Sequence, residues 1–157
     1  MQDSTEKSRV FLDSSVLIAA TLSLQGGSFY ILTQLARACE FKINDYVLQE
    51  TTRVLATKFR SQPTVKTNFF LLIGVAAVLV LPNPPPKQVR VLTEILNPAD
   101  APILASALLS SSYLITLDND FLTQDVVAFA QKRSLTILKP SEFIALQRKG
   151  WKVRDEG

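Results

Sequence analysis

Short apolar runs rich in β-branched residues alternate along the chain with longer amphipathic ones. Arg9–Leu12 is compatible with a strand and ends at Asp13; Ser14–Thr21 then reads as a helix. After the Gly26-Gly27 break, Phe29, Ile31, Leu32, Leu35 and Ala36 form a helical stripe from Ser28 to Cys39. Phe41–Ile43 is a second short strand, turned by Asn44-Asp45, and Tyr46–Phe59 is an amphipathic helix. Pro63 opens a further helix through about Ile73. Val75–Leu81 is continuously apolar and rich in valine, the pattern of a fully buried parallel strand. Pro82–Pro86 is a proline-rich turn, too short to link domains. In Asn97–Pro102 the proline suits a first helical turn and Asp100 is placed to cap it, so a helix runs over Ile103–Leu109. Tyr113–Leu117 is a strand ended by Asp118-Asn119-Asp120, Phe121–Gln131 a helix, and Leu135–Leu138 a last strand. Pro140 starts a final helix to about Arg148.

This alternation predicts an α/β fold, a three-layer α/β/α sandwich with a mostly parallel central sheet. The chain reads as a single domain over residues 1–157, with flexible ends at 1–8 and 149–157. In such sheets ligand chemistry gathers at the carboxyl ends of the strands.

Composition narrows the chemistry. A chain of 157 residues with 47% hydrophobic and 20% charged residues buries an ordinary core without disulfides. It has one cysteine, Cys39, and no histidine. Multi-cysteine zinc sites, Ser-His-Asp triads and histidine acid–base catalysis are therefore excluded. The work is left to carboxylates, hydroxyls, Lys, Arg or a hard cation. A net charge of +3 permits contact with a polyanion without demanding it, and no run reaches five like charges. Residues 1–9 carry no apolar signal core, and Phe69–Leu81 is shorter than the roughly 20 residues of a bilayer span. No membrane association and a cytoplasmic location are expected.

Asp13, Asp100 and Asp118 fall where strands end or helices begin; Asp120 lies two residues past Asp118, and Glu50 lies inside the helix from Tyr46. Singly, each has an ordinary use. Asp13 and Asp100 can cap helices, Asp118 and Asp120 suit a turn, and Glu50 can pair with Arg53. Together they mean more. Asp13 and Asp118 should project from the same edge of a parallel sheet, and a helix capped by Asp100 would enter the same cleft. Carboxylates that close repel unless a counterion is present. Mg²⁺ or Mn²⁺ removes the problem and can deliver a water to a phosphodiester.

These segments resemble the PIN domain family. Val10-Phe11-Leu12-Asp13-Ser14-Ser15 is similar to its opening strand and first acid, and Tyr46-Val47-Leu48-Gln49-Glu50 to the helix carrying its glutamate. Asn97-Pro98-Ala99-Asp100-Ala101-Pro102 resembles its third acidic segment, and Leu114-Ile115-Thr116-Leu117-Asp118-Asn119-Asp120 its fourth. Leu138-Lys139-Pro140-Ser141-Glu142-Phe143 is similar to its closing strand and last helix. The resemblance implies a metal-dependent ribonuclease in which Asp13, Glu50, Asp100 and Asp118 are the acidic core and hold Mg²⁺ or Mn²⁺, with Asp120 as an additional acid. It implies supporting polar roles for Ser15 and Thr116. Many bacterial members resemble VapC, a toxin that acts as a homodimer on RNA and is silenced by an antitoxin; a homodimer, an RNA substrate and an antitoxin partner are what that resemblance implies. Arg53 and Lys58 are candidates for the RNA path.

Two other folds with acids at strand ends fit less well. A receiver-like phosphoacceptor domain suits Lys139-Pro140, but the helical stretch Tyr46–Ile73 is too long for it. A haloacid-dehalogenase-like phosphatase needs a second Asp two residues after Asp13, where Ser15 stands. A catalytically silent PIN-like interaction or RNA-binding module is the alternative from another class. Cys39 at the end of its helix reads as core, Trp151 as an anchor for the terminal helix, and Phe69–Ile73 as core packing rather than a dimer face.

Overall fold

Val10, Phe11 and Leu12 are fully buried and make β1 (Ser8–Leu12) the middle of the molecule. The computed structural model describes residues 6–156, with side chains described for 6–150. Four more strands join β1: β2 (Cys39–Asn44), β3 (Leu79–Leu81), β4 (Tyr113–Ile115) and β5 (Thr136–Leu138). All pairings are parallel and the spatial order is β3-β2-β1-β4-β5. The helices are α1 (Ser14–Leu22), α2 (Gly27–Gln34), α3 (Asp45–Lys58), α4 (Pro63–Val75), α5 (Pro86–Leu92), α6 (Ala101–Ser110), α7 (Gln124–Gln131) and α8 (Pro140–Glu156). The α/β reading of the sequence stands.

Strand order reverses between β1 and β4. The chain moves one way from β1 to β2 and β3, then crosses to β4 and β5 on the other side. Right-handed crossovers send the helices of the two halves to opposite faces. The carboxyl ends of β1 and β4 therefore flank a crevice at which parallel sheets hold ligands.

Several boundaries differ from the sequence reading. The helix expected over Ser28–Cys39 stops at Gln34; a 3₁₀ turn covers Ala36–Ala38, and Cys39 opens β2 opposite Ser8. Sheet pairing there outweighs the helical stripe. Ser8 itself belongs to β1, so the expected flexible start narrows, and residues 1–5 lie outside the described residues. Val75–Leu81 is not one buried strand. Val75 completes α4, Ala77 takes a left-handed backbone at φ 53°, and only Leu79–Leu81 pairs, at a sheet edge with Leu79 49% and Val80 41% exposed. The amide of Val78 bonds Ile73 O and that of Ala77 bonds Gly74 O, the pattern that closes a helix with a left-handed residue. That position usually calls for glycine, so the alanine hid the break.

Pro86 begins α5, a helix the proline-rich turn concealed, and Tyr113–Leu117 pairs only as far as Ile115. In the Phe121–Gln131 segment a 3₁₀ turn over Asn119–Phe121 precedes α7, which starts at Gln124. Helix α8 continues to Glu156 where the sequence reading ended it near Arg148; the side chain of Trp151 lies outside the described residues. Phe69 is buried as expected, whereas Phe70 and Leu71 are exposed. Among the described residues no single helix is long and apolar enough to cross a membrane.

Candidate metal centre

Asp13 follows β1 directly, and its amide donates to Ile115 O at 3.1 Å, which carries the β1–β4 ladder one residue further. Its side chain is therefore fixed at the crevice, with the residue only 3% exposed. It stands at the N-cap position of α1 but makes no capping hydrogen bond. Instead Oδ2 accepts from Ser15 Oγ at 2.6 Å and from Thr116 Oγ1 at 2.9 Å. Each hydroxyl is held in turn. Ser15 Oγ accepts from the Leu117 amide at 3.0 Å, and Thr116 Oγ1 from the Asp118 amide at 2.9 Å. The two strand ends are thus laced together through one carboxylate oxygen. Both supporting residues expected from the resemblance lie in this lacing.

Asp100 likewise occupies the N-cap position of α6 without a side-chain cap. Asp118 Oδ1 accepts from the Asp120 amide at 2.9 Å, which shapes the 3₁₀ turn over Asn119–Phe121, and Asp120 Oδ2 accepts from Asn97 Nδ2 at 3.0 Å. Carboxylate oxygens of Asp100, Asp118 and Asp120 lie within 4.8 Å of one another. Glu50 accepts from Ser14 Oγ at 2.7 Å, and the surface pair with Arg53 is not formed. Asn44 sets the approach of α3. It caps that helix by accepting from the Val47 amide at 2.9 Å and ties it to α6 by donating to Ser106 Oγ at 2.7 Å.

The charges act on one another. Burial pushes the Asp13 carboxyl above its ordinary range; the Ser15 and Thr116 hydrogen bonds oppose this, and the charges of Asp118 and Glu50 add to it. Asp100 is pushed up to about 6, first by burial and then by Asp118, Asp13, Asp120 and Glu50. Among the described residues the only ion pair is Lys42 with Glu40, away from these acids. The donor set is all oxygen, carries excess negative charge and has no paired Lys or Arg. That fits a hard divalent cation such as Mg²⁺ or Mn²⁺.

Sequence reasoning passed over Tyr46, on the first turn of α3. Burial and the charges of Glu50, Asp100 and Asp13 push its phenol pKa up, while Arg53 pulls it down. Its amide donates to Asn83 Oδ1 at 2.9 Å. Tyr46 therefore borders the crevice, and Arg53 lies on the same helix, its charge felt at the Tyr46 phenol. Lys58 does not border it: it stands eight residues beyond Glu50 on the same helix, roughly 12 Å along the axis. Cys39 is buried on β2 rather than at a helix end, and burial pushes its thiol up to about 12, so it is inert core.

Thr116 offers a test of the lacing. Thr116→Val keeps the shape but leaves Asp13 Oδ2 one donor short and the Asp118 amide unpaired. The expected cost is about 1–3 kcal/mol of stability, seen as a lower denaturation midpoint with unchanged slope.

A family model described as PIN domain matches residues 10–127, a span from β1 into α7 that contains all five acids. No curated protein matches the chain by sequence. Solved structures share the fold, two of them as follows. One is VapBC2 from Rickettsia felis bound to a DNA fragment from their promoter, with a TM-score of 0.63 at 14% identity, covering 83% of this chain and 98% of that one. The other is PAE2754 from Pyrobaculum aerophilum, with a TM-score of 0.64 at 18% identity, covering 89% of this chain and 96% of that one.

Proposed function

Because the chain belongs to the PIN domain family, we propose that it is a Mg²⁺- or Mn²⁺-dependent endoribonuclease, the cytoplasmic toxin of a type II toxin–antitoxin pair, working as a homodimer. The observation that carries this reading is the meeting of Asp13, Glu50, Asp100, Asp118 and Asp120 in one crevice, with no ion-pair partner among the described residues.

Asp13, Asp100 and Asp118 would hold the cation, with help from Glu50 and Asp120. When bound, the cation lowers the pKa of a water and offsets charge on the phosphate. Ser15 and Thr116 fix Asp13 Oδ2, so its carboxyl plane does not rotate as substrate arrives. Ser14 orients Glu50; Glu50 or Asp120 would align the attacking water. Water adds to phosphorus in line with the leaving oxygen; the far P–O bond breaks, the water's proton passes to a carboxylate or to solvent, and the leaving oxygen takes up a proton from solvent to depart as a hydroxyl. Arg53, whose charge acts on Tyr46, is the candidate to meet the RNA backbone, so affinity should fall as salt rises.

The reading is tested by incubating the purified protein with a mixed RNA pool, in Mn²⁺ and in EDTA. Cleavage in Mn²⁺ that EDTA stops is the expected result. Absence of both cleavage and Mn²⁺ binding by calorimetry would replace the nuclease with a silent interaction module.

A further inference from the structure

Among the described residues one aromatic side chain has no structural partner. The phenylalanines and Tyr113 belong to the buried core, pack against it or, as Phe70 does with Phe69, meet a ring that belongs to it. Tyr30 faces the Arg148 guanidinium. Tyr46 does none of these. It is partly exposed, and among the described residues its ring neither packs against the core nor meets another ring or a guanidinium.

The backbone beneath this ring is fixed. Asn44, the last residue of β2, caps α3 through the Val47 amide, and Asn83 Oδ1 accepts from the Tyr46 amide at 2.9 Å. Strand β2 lies beside β1 with Lys42 opposite Phe11, so Asn44 is level with Asp13 and Tyr46 follows two residues on. Tyr46, Glu50 and Arg53 stand at positions i, i+4 and i+7 of α3 and share one face of that helix. Glu50 lies between the other two, with Arg53 roughly 10 Å along the axis from Tyr46. The charges of Glu50, Asp100 and Asp13 all act on the Tyr46 phenol, which puts the ring at the rim of the crevice.

An anchored aromatic ring that the fold does not pack has the form of a stacking platform. Unpaired bases stack on such rings, whereas the bases of a duplex are already stacked on one another. The ring is neutral, so it tolerates the surrounding carboxylates. We propose that Tyr46 is the platform on which an unpaired base beside the scissile phosphate stacks, and that it confines cleavage to single-stranded RNA; this rests on the nuclease reading above. Glu50, one helical turn away on the same face, then meets the phosphate group that adjoins the stacked base.

Two measurements test it, and the first needs no cleavage. Short single-stranded RNA carrying 4-thiouridine is bound in Ca²⁺, a hard cation for the same oxygen donors, and irradiated; the crosslink is mapped by mass spectrometry. It is expected at Tyr46, within the tryptic peptide of residues 43–53. The second compares Mn²⁺-dependent cleavage by the wild type, Tyr46→Phe and Tyr46→Leu. Phenylalanine keeps the π face; leucine keeps apolar bulk without it. Tyr46→Phe should stay within about twofold of the wild type, while Tyr46→Leu should raise KM roughly tenfold or more and leave kcat nearly unchanged. The wild type should cut single-stranded RNA at least about tenfold faster than the same RNA annealed to its complement.

A crosslink confined to other segments overturns the proposal, as does equal cleavage of the duplex. Tyr46→Leu matching Tyr46→Phe also overturns it and makes the residue a packing group. Tyr46→Phe as impaired as Tyr46→Leu overturns it in favour of the hydroxyl. Crosslinking at Tyr46 without any cleavage in Mn²⁺ keeps the platform and removes the nuclease; EDTA-sensitive cleavage without a crosslink at Tyr46 does the reverse.

Discussion

Asp13→Asn is expected to reduce metal-dependent RNA cleavage by about a thousandfold or more, the equivalent of the several kcal/mol a metal ion contributes to such a transition state. The substitution changes charge and hardly changes volume. An amide oxygen at the Oδ2 position can still accept from Ser15 and Thr116, so the lacing between β1 and β4 survives. What disappears is one negative charge from a crevice where Asp13, Asp118 and Glu50 already repel one another. The folded, metal-free variant should therefore be at least as stable as the wild type at neutral pH, while Mn²⁺ should no longer raise its melting temperature. Loss of activity together with loss of stability would point instead to a structural role for Asp13. Cleavage that survives Asp13→Asn combined with Asp118→Asn would sink the proposed centre outright.

Asp13, Asp100 and Asp118 were legible in the sequence because each sits at a strand end or a helix start, both local signals, whereas Glu50, inside α3, was singled out only by the resemblance. Asp13 after Arg9–Leu12 and Asp118 after Tyr113–Leu117 needed only the rule that parallel strands deliver their carboxyl ends to one edge. Ser15 and Thr116 were expected only from the resemblance to the PIN domain family. What stayed hidden depends on distant contacts. Asn44 looked like a turn residue, yet its side chain caps α3 and reaches Ser106, 62 residues away. Asn97 bonds Asp120 across 23 residues. Tyr46 looked like the first residue of an amphipathic helix and gave no sign of the charges around it. The Val75–Leu81 error is of another kind. An apolar run does not state where a helix stops, and the left-handed residue that stops this one is Ala77, without the usual glycine.

Without metal, the protein should lose stability as pH rises from about 4 through about 6, the reverse of ordinary acid denaturation. Asp100 moves from its ordinary value of 3.8 to about 6 in the folded chain, and Asp13 moves in the same direction. Between those limits the native state binds more protons than the unfolded one, so stability falls with pH across that window. Below pH 3.8 the contribution is fully present; above about 6 it is gone. Melting temperatures in EDTA across this range, for the wild type and Asp100→Asn, isolate the effect. The variant has no carboxyl to titrate there, so its curve should be flatter, and at pH 7 it should be the more stable of the two. Mn²⁺ should reverse the trend in the wild type, because cation and proton compete for the same oxygens and the gain from binding grows as the acids ionise. The same competition ties stability to activity: cleavage at limiting Mn²⁺ should decline as pH drops through about 6, and added Mn²⁺ should restore it. Matching slopes for wild type and Asp100→Asn between pH 4 and 6 would show that the acids do not share one crevice in solution, and the case for a cation held among them would fall with that result.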